Sequence, residues 1–271
     1  MKFQLDMKKI GATLLFAAIA SVANAGAIHD AGQFTTVLPG NDDGSTGLVS
    51  LGFNVNFFGT NYSQIYVNNN GNITFNGPLG TFTPFGISGV STPMLAPFFA
   101  DVDTRIGAPV TYGTGSIDGH QVFGVNWIDV GYFSTHLDKT NNFQLIIVDR
   151  SDTGAGNFDF EFNYDSILWE TGDASGGSNG LGGTSAAAGW TNGAGTSYSF
   201  AGSLINGALL DGGPNALIDG TLNSDTDGQY IFEVRNGVVG QPSDVPEPAT
   251  EALLAIGLMG LTLSKLKKRR S

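Results

Sequence analysis

Phe158-Asp159-Phe160-Glu161-Phe162-Asn163-Tyr164 places an aromatic side chain at every second position, with Asp, Glu and Asn between them. A period of two is the spacing of a β-strand, whose successive side chains point to opposite faces, so this stretch has one aromatic face for a core and one polar face. The pattern extends outward in both directions. Leu51, Phe53, Val55 and Phe57 alternate with Gly52, Asn54 and Asn56; Phe123, Val125 and Trp127 mark another strand, and Tyr230, Phe232 and Val234 mark the final one. Phe143, Leu145 and Ile147 share one side of a strand whose other side carries Ile146 and Val148, which predicts a central strand covered on both faces. Between Tyr66-Val67 and Ile73-Thr74-Phe75 lies Asn68-Asn69-Asn70-Gly71-Asn72, where Asn-Gly supplies the positive φ angles of a tight hairpin turn. Short strands joined by Gly and Asn turns predict an all-β fold, an antiparallel β-sandwich or barrel-like body. The glycine-dense stretch from Thr171 to Asn192 reads as a long flexible loop around one short strand ending at Ala188 to Trp190.

Composition agrees with an exported β protein. Glycine takes 40 of 271 residues while charged residues make up only 13%, so the surface is built largely from Asn, Ser, Thr and Gly. There is no cysteine, which excludes a disulfide framework, a thiolate nucleophile, an iron–sulfur cluster and a cysteine zinc site. With 41% hydrophobic residues, among them 19 Phe, 7 Tyr and 3 Trp, the chain can bury one sizeable core, which excludes disorder throughout.

The two ends carry processing signals. Lys2, Lys8 and Lys9 precede an apolar run from Ile10 to Val22 and then Ala23-Asn24-Ala25, the pattern of a secretory signal peptide over residues 1–25 cut after Ala25. At the other end Val245-Pro246-Glu247-Pro248 is followed by an apolar stretch from Ala252 to Leu263 and a basic cluster from Lys265 to Arg270, predicting a short transmembrane helix held on the cytoplasmic side by its lysines and arginines. Residues 245–271 as a whole resemble the PEP-CTERM sorting signal of exopolysaccharide-producing Gram-negative bacteria. The resemblance implies recognition by an exosortase, a transient inner-membrane anchor, and delivery to the cell surface or extracellular matrix.

Between the ends the chain is strongly acidic. Removing Asp6, Glu247 and Glu251 from the 24 acidic residues leaves 21, against the four basic groups Arg105, Lys139, Arg150 and Arg235, a formal net charge of −17 over residues 26–244. A field of that sign repels phosphate backbones, so no nucleic-acid partner is expected, whereas divalent cations become plausible ligands.

Six blocks give the body a resemblance. They are Tyr66 to Phe75, Ala96-Pro97-Phe98-Phe99-Ala100-Asp101-Val102-Asp103-Thr104, Asn126 to Tyr132, Asn141 to Leu145, Phe162-Asn163-Tyr164 with Trp169, and Ala188-Gly189-Trp190. In this order they look like the NIDO domain, the extracellular domain of nidogen, α-tectorin and membrane mucins. The resemblance implies an extracellular, non-catalytic, β-rich module of matrix and cell–matrix adhesion, and brings no catalytic or metal residues with it. The domain is expected over residues 51–236, after an N-terminal extension or first strand at 26–50 and before a linker at 237–244. One departure is Asn126-Trp127, where the family commonly has Thr-Trp.

Candidate chemistry is sparse. Gly176-Gly177-Ser178-Asn179-Gly180 fits a serine-hydrolase pattern, but no strand precedes it and no helix follows, so chance in a glycine-rich stretch accounts for it. His29, His120 and His136 lack metal-ligand spacing, and His29 falls in an expected frayed N-terminus. Asp159 and Glu161 lie about 7 Å apart along one strand face, within the range glycosidases use, yet on the polar face they are expected to be solvated. Asp101 and Asp103 share a face with Arg105, which leaves two readings, a structural Asp–Arg network or a cation site. Asn223-Ser224-Asp225-Thr226-Asp227-Gly228 matches the first half of a calcium loop, with Val234 where the closing Glu belongs, so Asp225 and Asp227 read either as an Asx-rich turn or as a shallow calcium site.

These features predict a surface or matrix protein that adheres to exopolysaccharide or to surface proteins. Trp169 and Trp190 would either offer flat apolar faces to a ligand or fill the core. A second reading is a calcium-dependent, lectin-like carbohydrate-binding module using Asp101, Asp103, Asp225 and Asp227; a third is a polysaccharide-active enzyme.

Overall fold

A computed structural model describes residues 26–240 of the chain. The expected signal peptide with Ala23 and Ala25, and the sorting motif Val245-Pro246-Glu247-Pro248 with its helix, lie outside the described residues. No helix among the described residues is long and apolar enough to cross a membrane.

In chain order the strands are β1 (Thr36–Val37), β2 (Val49–Phe57), β3 (Thr60–Asn68), β4 (Asn72–Thr74), β5 (Met94–Phe99) and β6 (Val102–Asp103). They continue as β7 (Thr111–Ile117), β8 (His120–Tyr132), β9 (His136–Asp149), β10 (Phe158–Ser166), β11 (Gly177–Ser178) and β12 (Leu181–Gly182). The last four are β13 (Ala187–Thr191), β14 (Ser197–Ser199), β15 (Gln229–Arg235) and β16 (Val238–Val239). Two antiparallel sheets make the expected sandwich. The larger runs β1-β7-β8-β9-β10-β15-β16, with β6 also on β8, and the smaller runs β14-β13-β5-β4-β3-β2.

The aromatic faces read from the sequence meet between the sheets. Phe158, Phe160 and Phe162 of β10 and Phe143, Leu145 and Ile147 of β9 face Leu51, Val55 and Phe57 of β2, Val67 of β3 and Phe98 of β5, all essentially inaccessible. Phe98 and Phe143 lie 5.3 Å apart between ring centroids across the gap, and Phe57 and Phe158 6.2 Å apart. Trp169 and Trp190 belong to this core, 0% and 3% exposed, which removes their flat faces from any ligand and settles that pair as packing residues. Pro97 is tolerated inside β5 because the β5–β13 register breaks around it, Ala187 facing Phe99 and Gly189 facing Ala96.

The outer face of the large sheet is covered, as expected at β9 and against expectation at β10. Phe34, from the segment before β1, closes over Val122, Ile146 and Val148 and is fully buried. This is why Phe143 to Asp149 is apolar on both sides. Beside it, Asn126, Gln144, Asn163 and Gln229 stand opposite one another on four adjacent strands, linked by Gln144 Nε2 to Asn126 Oδ1 at 2.8 Å and Asn163 Nδ2 to Gln144 Oε1 at 3.3 Å. His29 docks onto this row: its backbone N–H donates to Gln144 Oε1 at 3.0 Å and its Nε2 lies 2.8 Å from Glu161 Oε2. His29 is therefore part of the sheet's cover and not frayed. Asp159 and Glu161 are buried rather than solvated, Asp159 between Arg150 (2.7 Å) and Arg235 (2.5 Å) and Glu161 beneath His29.

Residues 26–50 supply the cover and the first strand, β1, and β16 pairs with β15 beyond Val234. The stretch 171–192 is ordered: β11 and β12 form a hairpin, β13 lies between β5 and β14, and Gly180 packs so closely on Trp169 that a Cβ there would stand 2.7 Å from the indole's own Cβ. Ser178 sits exposed on that hairpin, on no strand-to-helix elbow.

Candidate cation site

The turn Asn68-Asn69-Asn70-Gly71-Asn72 closes the β3–β4 hairpin as predicted, but its four asparagines are fully buried. Asn72 braces the turn itself through Asn68 and the Asn70 carbonyl, and the other three hold neighbouring segments. Asn69 Nδ2 donates to the carbonyls of Asp42 and Val102, both at 2.5 Å, and its Oδ1 accepts from Thr104 Oγ1 at 2.7 Å. Asn70 Oδ1 accepts from the Val102 N–H at 3.0 Å, while its Nδ2 reaches Asp43 Oδ1 at 2.9 Å. Asn68 Oδ1 accepts from Ser45 Oγ and the Leu79 N–H. Gly71, at φ +71, lies so near the Phe98 carbonyl that any side chain would collide with it. The asparagine turn thus locks two segments side by side: the loop at Asn41 to Thr46 and the bend Ala100 to Thr104 that joins β5 to β6.

Those two segments bring three aspartates together. Carboxylate oxygens of Asp42, Asp43 and Asp101 lie within 4.8 Å of one another. Asp101 is buried, its backbone carbonyl accepting from the Phe133 N–H at 3.1 Å, and Gly172 lies directly against its Oδ2. Burial pushes the Asp101 carboxyl up to about 7, and the charges of Asp42, Asp43 and Asp103 push the same way against Arg105. Asp42 rises to about 6, through burial first and then Asp103 and Asp43.

Asp103 has a different part. Its fully buried carboxylate receives Arg105 Nε at 2.9 Å and Nη2 at 2.5 Å, with the Thr135 N–H at 2.8 Å. Burial raises its pKa, but the bonds from Arg105 and Thr135 outweigh that and hold the carboxyl below its ordinary value. The guanidinium also lies over the Phe133 ring, 5.3 Å from its centroid. Of the two readings for this pair, Asp103 takes the structural Asp–Arg network and Asp101 stands in an acidic cluster.

Asp225 and Asp227 do not join them. Both are exposed on the turn before β15, which Ser224 closes through Thr226 N–H to Ser224 Oγ at 3.1 Å and Ser224 Oγ to Gln229 Oε1 at 2.5 Å. The partners of Asp101 are instead Asp42 and Asp43, about sixty residues earlier in the chain and unmarked by any ligand motif. Their one local signal is an acidic pair inside an Asx turn, Asn41 Oδ1 accepting from the Gly44 N–H at 2.6 Å.

The blocks that build this lattice are the ones on which the resemblance rested. A family model for the nidogen-like domain matches residues 63–118 and 111–236. The chain belongs to the nidogen-like domain family. Human alpha-tectorin is 33% identical over 232 residues, covering 74% of this chain, and mouse alpha-tectorin is the same by both measures. Drosophila melanogaster nidogen is 28% identical over 132 residues, 39% of the chain. In each case the match spans about a tenth of the relative's length. No solved structure matches the chain. Within this nidogen-like domain the departure at Asn126 is absorbed structurally: Asn126 Nδ2 donates to the Ala31 carbonyl and Thr111 Oγ1, pinning the N-terminal cover.

Proposed function

We propose that this nidogen-like chain is an exported bacterial surface or matrix protein that acts by adhesion, without a catalytic step. In this reading the signal peptide over residues 1–25 exports it, and an exosortase recognising Val245-Pro246-Glu247-Pro248 delivers it from a transient inner-membrane anchor to the cell surface or extracellular matrix. Exopolysaccharide or other surface proteins are its partners.

The observation that supports adhesion is how the family blocks are spent. Asn68 to Asn72, Val102 to Thr104, Asn126-Trp127 and Asn141 all hold backbone or fill the core. Asn141, for example, accepts from the Leu168 and Trp169 N–H groups and donates to the Trp169 carbonyl. Such a domain offers a rigid acidic surface, suited to structural and adhesive contacts. Co-sedimentation of the purified protein with exopolysaccharide, with reducing ends assayed in parallel, tests it. Binding without sugar release is the expected result; release of reducing ends would overturn it in favour of a polysaccharide-active enzyme.

A further inference from the structure

We propose that Asp42, Asp43 and Asp101 form a binding site for one hard divalent cation, with calcium the ion whose ligand preference they fit. The argument rests on which oxygens are already committed. Asp42 Oδ2 faces Arg105 Nη2 at 3.5 Å, leaving its Oδ1 enclosed and without a hydrogen-bond partner. Asp43 Oδ1 accepts from Asn70, leaving Oδ2 for another ligand. Asp101 is only 2% exposed, yet its Oδ2 has no partner at all. An unpaired buried carboxylate oxygen is costly, and here it belongs to a carboxylate that stands within 4.8 Å of two others.

Among the described residues no basic side chain is given over to this group alone. Among the described residues, Arg105 is the basic side chain that touches the cluster, and its fork is already closed on Asp103. Arg150 and Arg235 are paired at Asp159, and Lys139 donates to the Asn179 carbonyl. Calcium binds oxygen at about 2.3–2.6 Å, so two ligands of one ion stand at most about 5 Å apart, and each pair among the three carboxylates meets that bound. Waters or main-chain carbonyls would complete the shell. Asp43 is exposed and leaves an entry from solvent, while the asparagine turn fixes the two segments in advance of binding.

The site stands apart from the adhesion reading, because it is tested on the purified full-length protein with no matrix present. After chelator treatment at neutral pH, titration with calcium alone should give one saturable site per chain, with a dissociation constant in the range of about 10⁻⁴–10⁻³ M common to extracellular calcium modules. The melting temperature should rise by several degrees at about 10 mM calcium, well above that range. Asp101→Asn and Asp42→Asn should each weaken binding at least about tenfold and abolish the rise, while melting no lower than the calcium-free parent because a repulsion has been removed. Asp225→Asn with Asp227→Asn should bind as the parent does. A parent protein without saturable binding or thermal response overturns the proposal, as does an Asp101→Asn protein that responds to calcium like the parent.

Discussion

Trp127 of β8 donates its indole N–H to the main-chain carbonyl of Asn69 at 3.0 Å, across the gap between the two sheets. The same residue's side-chain amide holds Asp42 and Val102. Asn69 is thus the point at which the core, the hairpin turn and the acidic cluster meet.

Replacing Asn69 by Ala is expected to leave the Asp42 and Val102 carbonyls without the buried amide that donates to them and to free the Asp42 loop. At about 1–3 kcal/mol for each unsatisfied buried group, the loss is about 2–4 kcal/mol. Urea unfolding, compared with the parent at equal slope, measures it; a loss under about 1 kcal/mol would show that the lattice does not depend on this side chain.

Gly71→Ala should be worse than any ordinary loop substitution. The position combines φ +71 with direct contact on the Phe98 carbonyl, so relief requires β4 and β5 to part. A destabilisation of at least about 3 kcal/mol is expected in the same urea experiment. Gly59→Ala has a positive φ but open space around it and should cost about 1 kcal/mol.

The pH profile in chelator follows from Asp101. Its pKa is raised in the folded state, so between about 4 and about 7 the native protein binds more protons at this site than the unfolded chain, and stability falls as pH rises through that window. Asp101→Asn should flatten that part of the profile. Thermal melts from pH 4 to 8 check it, and an unchanged slope in the variant would assign the pH dependence to other groups.

His29 adds a second titration of its own. The hydrogen bond to Glu161 raises its pKa against the opposing effect of burial, so the interaction contributes fully below the ordinary histidine value of 6.5 and is lost as pH climbs past the raised one. NMR of the imidazole C–H signals should place its midpoint above 6.5, and Glu161→Gln should bring it back down. A midpoint at or below 6.5 in the parent would show that the N-terminal cover does not dock as described.

Strand identity was legible because alternation is a local signal: Phe158 to Tyr164 and Leu51 to Phe57 name their buried faces with no knowledge of what covers them. What covers the opposite face was not legible. Asp159 and Glu161 look solvated until Arg150, Arg235 and His29 arrive from elsewhere in the chain, and nothing local to β10 announces them. Glycine misled for a related reason. The residue that permits flexibility also permits close approach, and composition cannot separate Gly172 against Asp101 or Gly180 against Trp169 from a mobile linker. Asp101 was visible as a candidate, whereas its pairing with Asp42 and Asp43 depends on the asparagine turn holding two distant segments in register.

Strands β7 to β10 occupy adjacent places in the large sheet in the order in which they occur in the chain, whereas β15 reaches β10 only after the chain has crossed to the smaller sheet and back, and Phe34 comes to the outer face from the opposite end. The meander can therefore assemble from neighbours, while both of its seams wait for contacts between residues far apart in sequence, the slow kind of closure. Folding is expected to proceed from the centre of the chain outward, with amides of β8 and β9 protected first in pulse-labelled hydrogen exchange and those of β15 last. The two ends of the domain act as its final fastening.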